Sequence, residues 1–333
     1  RPPRSTLFPY TTLFRSVVRL NNKQLNDKQQ RKMKVTILGC YSATPRTLNN
    51  TTSQVLEINN HMFLIDCGEG TQIHLRRHKV KFNRIKHIFI SHLHGDHFFG
   101  LVGLISTFRL LTRETDLHIY GPVGIKEVVT LQMKLADSWT NFNLIFHELA
   151  SEKSVLIFED DEVEVHTIPL NHRIYTNGFL FKEKEGNRKL DLGLVEDARI
   201  HVAYYRKLAL GFDVINEDGE LIKNKSVTNP GAKPKSYAFC SDTMYQETIV
   251  PIIKNVDVLY HESTFLETHA HLATKTKHAT AKQAATIAKK ANAGVLLLGH
   301  YSTRYDSLEA FKEEANTVFE HVELCEDGKV FNF

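Results

Sequence analysis

The chain is predicted to be an α/β protein built from two similar halves, with a segment inserted between Glu183 and Lys235. Three observations predict this. Short β-rich segments alternate with stretches of helical apolar spacing. The alternation runs through a first set of elements and then a second. Between Glu183 and Lys235 it loosens into charged, Gly- and Pro-containing sequence.

From Met33 onward, Lys34–Gly39, Ser53–Ile58, His61–Ile65 and His87–Ser91 are rich in β-branched and apolar residues and are punctuated by Gly, Asn and Pro. They are expected to be strands. Phe98–Leu111 and Ile125–Leu135 space their apolar residues as helices do, with a short strand at Leu117–Tyr120 between them. In the second set, strands are expected at Leu144–Leu149, Val163–Pro169, Thr176–Lys182, Ser236–Cys240, Val256–His261 and Gly294–Gly299, and helices at Ala279–Ala291 and Ser307–Val318. Two short helices within Val195–Leu208 and a hairpin at Asn216–Ile222 are expected in the insertion.

A length of 333 residues with 42% apolar and 24% charged side chains is the balance of a soluble enzyme with a sizeable core. Its longest apolar runs, such as Val295-Leu296-Leu297-Leu298, are strand-sized, far short of the ~20 residues a membrane helix needs, so no membrane partner is expected. Cys40, Cys67, Cys240 and Cys325 form no C-x-x-C pair, which argues against a disulfide scaffold or thiolate metal site and for reduced thiols in a cytoplasmic protein.

The net charge of +4 divides unevenly. Residues 1–32 hold eight Lys or Arg and only Asp27, whereas residues 33–333 hold 34 basic and 37 acidic side chains. The leader repeats Thr-Leu-Phe at Thr6 and Thr12 without convincing periodicity. Arg-rich and acid-poor, it has the composition of an organellar transit peptide, but Ser5–Ser16 more closely resembles translated adaptor or vector sequence ahead of a start at Met33, and on either reading the leader is expected to lie outside the fold. Any basic binding surface on the body must therefore be local.

His92-Leu93-His94-Gly95-Asp96-His97 follows the strand His87–Ser91 and precedes a helical run, so it sits at a strand-to-helix junction. An extended path would aim His92, His94 and Asp96 to one side. Three imidazoles and a carboxylate suit zinc, and so short a loop serves two ions more easily than one. Further ligands must come from elsewhere. His172, Asp242 and His300 each follow a predicted strand and are the candidates.

The segment Ser91–His97 carries the H-x-H-x-D-H signature and resembles the metallo-β-lactamase superfamily. Phe63–Gln72, Pro169–His172, Phe239–Thr243, His261-Glu262-Ser263-Thr264-Phe265, His278-Ala279-Thr280 and Gly299–Tyr305 resemble, in order, motifs of the tRNase Z family within it. The resemblance covers Met33 to Phe333 as one domain. It implies a four-layer αββα sandwich with residues 183–235 as an inserted flexible arm.

By that resemblance His92, His94, His172 and Asp242 would hold one zinc ion, and Asp96, His97, His300 and the shared Asp242 a second. The implied activity is endonucleolytic removal of the 3′ trailer from precursor tRNA, leaving a 3′-hydroxyl. Water activated by the two ions would attack the phosphodiester, with Asp96 taking its proton. His278, oriented by Glu262, would serve the leaving oxygen, and Arg304 and Ser302 the substrate phosphate. A homodimer is implied, with Lys189, Arg206 and Lys207 of the arm on the tRNA. Ala203-Tyr204-Tyr205-Arg206-Lys207-Leu208 stands where the family's arm carries a Gly-Pro-containing motif. The alternative reading is a phosphodiesterase of broader specificity in the same superfamily.

Overall fold

The computed structural model describes residues 33–45, 47 and 49–333. The leader, expected outside the fold, lies outside the described residues. Two compact units divide what is described: residues 33–184 with 235–333, and residues 185–234.

The strands of the larger unit before the insertion are β1 (Met33–Gly39), β2 (Ser53–Ile58), β3 (His61–Ile65), β4 (His87–Phe89), β5 (Leu117–Pro122), β6 (Leu144–Leu149), β7 (Leu156–Glu159), β8 (Val163–Leu170) and β9 (Thr176–Glu183). The smaller unit carries the two-residue strands β10 (Lys189–Leu190), β11 (Val214–Ile215), β12 (Leu221–Ile222) and β13 (Thr228–Asn229). The larger unit resumes with β14 (Ser236–Cys240), β15 (Val258–Glu262), β16 (Val295–Gly299), β17 (Val322–Leu324) and β18 (Val330–Asn332).

Two seven-stranded sheets form, ordered β18-β1-β2-β3-β4-β5-β6 and β17-β16-β15-β14-β9-β8-β7. Each combines an antiparallel meander with a run of parallel strands: β3 to β6 in the first sheet, β14 to β17 in the second. The two halves are thus similar. One expectation needs correction. Leu144–Leu149, grouped with the second half, closes the first sheet, because the helix Ile125–Leu135 returns the chain parallel to β5.

The inner faces of the sheets meet through large apolar side chains. Phe63 packs on Phe181 with ring centroids 5.2 Å apart, and Phe89 on Phe179 at 5.3 Å. Burying each such ring stabilises the fold by roughly 1.5–3 kcal/mol. On the outer face of the first sheet, Leu75, Leu104, Phe108 and Val129 from three helices cover Val55, Leu64, Ile88 and Ile119. Over the second sheet lie Ala284, Ile287, Ala288 and Phe311. Helix, sheet, sheet and helix make four layers.

The helix Ala281–Ala291 starts two residues later than its spacing suggests, because Thr280 is its N-cap and closes a capping box with Gln283. The preceding helix, Ala270–Thr276, ends at Lys277 in the left-handed region (φ 57°). His278 is thereby held in a tight connection between two helices, rather than on the first turn of one.

The smaller unit has its own core of Val195, Ile200, Leu208, Val214 and Val227. Its expected hairpin forms around Asn216, whose side-chain oxygen accepts from the backbone N–H groups of Asp218 (3.1 Å) and Glu220 (2.8 Å).

Candidate metal centre

The parallel strands deliver the polar residues. Asp66 follows β3, Asp242 follows β14 and His300 follows β16, and all three adopt left-handed backbone (φ 55°, 61° and 59°). Non-glycine residues held there store strain that surrounding structure must offset, a condition common at functional sites. In each case the turn at the strand end directs a buried side chain into the centre.

After β4 the chain bends at Leu93 and His94, His94 itself is extended (ψ 145°), and Gly95–Phe98 then forms a helical turn. The common direction expected for His92, His94 and Asp96 therefore stops at His94, and Asp96 turns toward His97. A Cβ at Gly95 would stand 2.3 Å from the Phe99 ring, which is 62% exposed and would have to turn aside.

Two groups of side chains result, and Asp242 faces both. His92 Nε2 lies 2.9 Å from His94 Nδ1, which is 3.3 Å from His172 Nε2. The Asp242 Oδ2 atom is 3.5 Å from His92 Nε2 and 3.6 Å from His172 Nε2. In the second group, His97 Nε2 is 3.2 Å from Asp242 Oδ1 and 3.4 Å from Asp96 Oδ2, and His300 Nε2 is 3.1 Å and 3.6 Å from the same two atoms.

These spacings test the fit of a metal. Donors ~2.1 Å from a tetrahedral ion lie roughly 3.4 Å from one another. The observed separations fall about that value, and the Nε2 atoms of His97 and His300 are buried without a hydrogen-bond partner. Orphaned imidazole nitrogens converging on carboxylate oxygens are the donor set for borderline cations. The residues fit the group.

Charge points the same way. Burial pulls the pKa values of His92, His94 and His172 down, which favours the neutral imidazole that ligates metals. Burial also opposes a charged His97, but the carboxylates of Asp242, Asp96 and Asp66 outweigh it and raise its pKa. For Asp242, burial is in turn outweighed by His300, His97 and His92, which hold the carboxyl well below its usual range. So many buried carboxylates call for positive charge, and a bound cation would supply it.

Neighbouring groups orient the ligands. The Asp66 carboxylate accepts from His97 Nδ1 (2.7 Å), Ser91 Oγ (2.9 Å) and the Ser91 N–H (2.8 Å). His172 Nδ1 donates to the Lys277 carbonyl at 3.0 Å, and His300 Nδ1 meets Thr264 Oγ1 at 2.9 Å. Each contact commits one ring nitrogen and leaves the other for metal.

Glu262 lies fully buried at the end of β15. It accepts from the Thr243 N–H (2.7 Å), Thr264 Oγ1 (2.6 Å) and the Ala279 N–H (3.1 Å), and pairs with His278 Nδ1 at 2.8 Å. Burial disfavours charge on His278, yet the Glu262 carboxylate outweighs it and pushes the pKa up to about 9. The His278 ring stands 5.0 Å from that of His172 and 5.3 Å from that of His300, beside both ligand groups.

Other candidates fall at the rim. The Ser302 N–H donates to the Thr264 carbonyl (3.1 Å), and Ser302 Oγ accepts from the Arg304 N–H (3.3 Å). Arg304 is exposed, and its side chain has no carboxylate partner among the described residues. Lys189, Arg206 and Lys207 are exposed on the smaller unit. Arg188 is engaged within that unit, donating to Thr228 Oγ1 at 2.7 Å.

Two residues near the centre escaped the sequence reading. Arg173 is exposed and its charge acts on both His94 and His278. Its position beside His172 was the available signal. Asp327 ties together the two ends of the loop that carries Ala43, whose N–H donates to Asp96 Oδ2 at 2.9 Å. No local signal marks it.

Two facing sheets, flanked by helices and joined at a histidine–carboxylate centre, define a metal-dependent hydrolase of the metallo-β-lactamase fold. The metallo-β-lactamase fold protein YhfI from Bacillus subtilis superposes with a TM-score of 0.64 at 20% identity, covering 91% of this chain and 100% of that one. The human tRNase Z, short form, gives a TM-score of 0.66 at 28% identity over 90% of this chain and 98% of its own. A family model described as anti-Pycsar protein Apyc1 matches residues 33–228, stopping short of β14 and β16, which deliver Asp242 and His300. Ribonuclease Z of Bacteroides thetaiotaomicron is 43% identical over 297 residues, covering 89% of this chain and 94% of the relative. The chain belongs to the ribonuclease Z family.

Proposed function

We propose that this endoribonuclease removes the 3′ trailer from precursor tRNA with two zinc ions, leaving a 3′-hydroxyl on the tRNA. The observation that carries the reading is the sharing of one buried carboxylate, Asp242, between two ligand groups, with the His278–Glu262 pair beside both. His92, His94, His172 and Asp242 would hold one ion; Asp96, His97, His300 and Asp242 the other. When bound, such ions generate a nucleophile from water at neutral pH and neutralise charge on the phosphodiester.

The protein's own groups do the rest. Asp96, at the rim of the second group, accepts the proton of the attacking water. His278 is kept charged by Glu262 and gives its Nε2 proton to the leaving oxygen, while Glu262 fixes the ring through Nδ1. Arg304 offers a planar donor pair to the substrate phosphate and Ser302 holds the turn that presents it. The compact unit of residues 185–234 serves as the tRNA-binding arm, with Lys189, Arg206 and Lys207 on the phosphates. The protein acts in the cytoplasm as a homodimer, a state favoured by exposed apolar side chains such as Leu110 (76%) and Leu135 (79%) on outer helices.

The test uses purified protein, zinc and a precursor tRNA with a short 3′ trailer. Cleavage next to the discriminator base is expected, and a chain lacking residues 188–233 should lose it while still hydrolysing a small phosphodiester. Efficient hydrolysis of small diesters without trailer removal would refute the tRNA reading. Intact processing after the deletion would refute the role of the arm.

A further inference from the structure

The basic character of the folded chain is concentrated in one place. Arg76, Arg77, Lys79, Lys81, Arg84 and Lys86 fall within residues 76–86, all six are exposed, and that stretch has no Asp or Glu. Across residues 70–113 there are eight Lys or Arg against one acidic residue, the buried-site Asp96. The rest of residues 33–333 holds 26 basic and 36 acidic side chains. On a body with a net acidic balance, such a dense run of cations is a favoured place for a polyanion to bind.

Most of the strip's cations are not consumed by the fold. Arg84 is the exception, approaching Glu57 at 3.5 Å and donating to the Asn60 carbonyl at 3.1 Å, whereas none of the other five meets a carboxylate among the described residues. The Arg76 guanidinium lies over the Phe82 ring, 5.7 Å from its centroid, an arrangement that leaves its edge free to donate. Arg113 shows the contrast. It is buried, donates to the carbonyls of Thr115 and Asp116, and sits over Phe108, so it serves the fold.

The strip is tied to the metal centre at both ends. The helix Thr71–Arg77 starts just beyond Gly68, where a Cβ would stand 2.5 Å from the Asp96 carbonyl oxygen. At ~1.5 Å per residue, Arg76 and Arg77 lie roughly 10 Å along that helix. From Lys86 the chain enters β4 and climbs back to His92, a path of about 17–20 Å at ~3.3 Å per residue. Phosphates of one strand of a nucleic-acid duplex recur about every 3.4 Å along its axis, so a separation of that order spans several nucleotides.

We propose that the exposed cations of residues 76–86 form an RNA-backbone-binding strip that engages substrate phosphates several nucleotides from the scissile bond. The inference rests on the ribonuclease reading and adds a second contact region outside both the metal centre and the arm. An open strip of exposed cations, five of the six without a carboxylate partner among the described residues, suits an extended polyanion; a free phosphate or nucleotide calls for a concave site with converging donors.

The experiment compares the full chain with a variant combining Arg76→Ala, Arg77→Ala, Lys79→Ala and Lys81→Ala. Steady-state cleavage of a precursor tRNA transcript is measured across salt concentrations. Hydrolysis of bis(p-nitrophenyl) phosphate serves as the control for fold and metal centre. The variant should raise KM for the transcript about tenfold or more with little change in kcat. Losing two or three phosphate contacts should also flatten the slope of log affinity against log salt by about 1.4–2.7. Diester hydrolysis should stay at the parent level. An unchanged KM and salt slope, where the parent processes the transcript, would overturn the strip. So would a variant whose sole change is its sedimentation behaviour, because the strip would then face a second copy of the chain. If the parent cuts the diester but not the transcript, the tRNA reading fails by itself, and transcript affinity measured by fluorescence anisotropy still judges the strip: equal affinities for parent and variant overturn it.

Discussion

Asp327, half-buried in the turn between β17 and β18, offers the sharpest test of how the fold holds the centre. Its Oδ1 accepts from the Cys40 N–H at 3.2 Å, and its Oδ2 from the Asn50 N–H at 2.7 Å and Asn50 Nδ2 at 2.6 Å. These residues bracket the loop in which Ser42 bonds to the Tyr301 carbonyl (3.0 Å) and Ala43 to Asp96 Oδ2 (2.9 Å). Asp327→Ala would strand three N–H donors, each costing ~1–3 kcal/mol when buried, together with the weaker Cys40 thiol donor at 3.5 Å. Two considerations lower that sum. The sites are only partly buried, and burial raises the carboxyl's pKa despite its hydrogen bonds, so the ionised group is not fully compensated. A loss of about 2–4 kcal/mol follows. Asp327→Asn should lose about half as much, because every partner is a donor and the amide NH2 has nothing to give to. Urea unfolding reads the stability. A roughly tenfold or greater fall in kcat/KM for a small diester, from loss of a charge-assisted bond worth ~1.5–3 kcal/mol, reads the loop. Variants that unfold within 0.5 kcal/mol of the parent, with full activity, would refute the clamp.

Three further outcomes are expected. Asp242→Asn should cut bound zinc, measured by plasma emission, from two ions per chain to one or fewer, and reduce activity at least 100-fold; two retained ions would remove the shared ligand. Glu262→Gln should bring the basic limb of the pH–rate profile from near 9 to below 6.5, with about tenfold lower kcat at pH 7.5, because burial without the carboxylate drives His278 neutral. The sign for stability follows: a folded-state pKa of about 9 against an unfolded 6.5 contributes up to about 3 kcal/mol below pH 6.5, lost as pH rises through 9, so the parent alone should weaken across that window. Leu208→Ala, in the core of the smaller unit, should cost ~2–5 kcal/mol locally, impairing precursor tRNA cleavage while sparing diester hydrolysis. Equal loss of both activities would tie that unit to the metal centre instead.

What was legible in the sequence, and what was not, divides along the range of the interactions involved. The strands preceding His92, His172, Asp242 and His300 announce themselves by local alternation and composition, and their bounds match closely. The helix Thr71–Arg77 buries only Thr71, His74 and Leu75, and Ala270–Thr276 only Ala273, so neither shows an apolar stripe. β17 and β18 span three residues each and exist because β16 and β1 pair with them. The direction of Asp96 was misjudged because a two-residue alternation looks alike in a strand and at the start of a helical turn. Thr264, Ser91 and Asp327 act through hydrogen bonds whose meaning depends on the partner; for Asp327 and Cys40 that partner is 287 residues away.

The same division bears on where RNA is recognised. Summed over residues 33–333, positive and negative charges nearly cancel, which leaves recognition to local surfaces such as the arm proposed for residues 185–234. Yet the arm's charges are mixed, and Arg188 is spent on Thr228. Binding strength depends on how many cations face one backbone within a screening length of ~8–10 Å, not on the total. By that measure residues 76–86, which contain six cations and no acid, outrank any stretch of the arm. If the quadruple variant and the Leu208→Ala variant raise KM independently, their effects should multiply, as expected for separate contacts on one substrate. A combined effect no larger than either alone would mean that one surface merely supports the other.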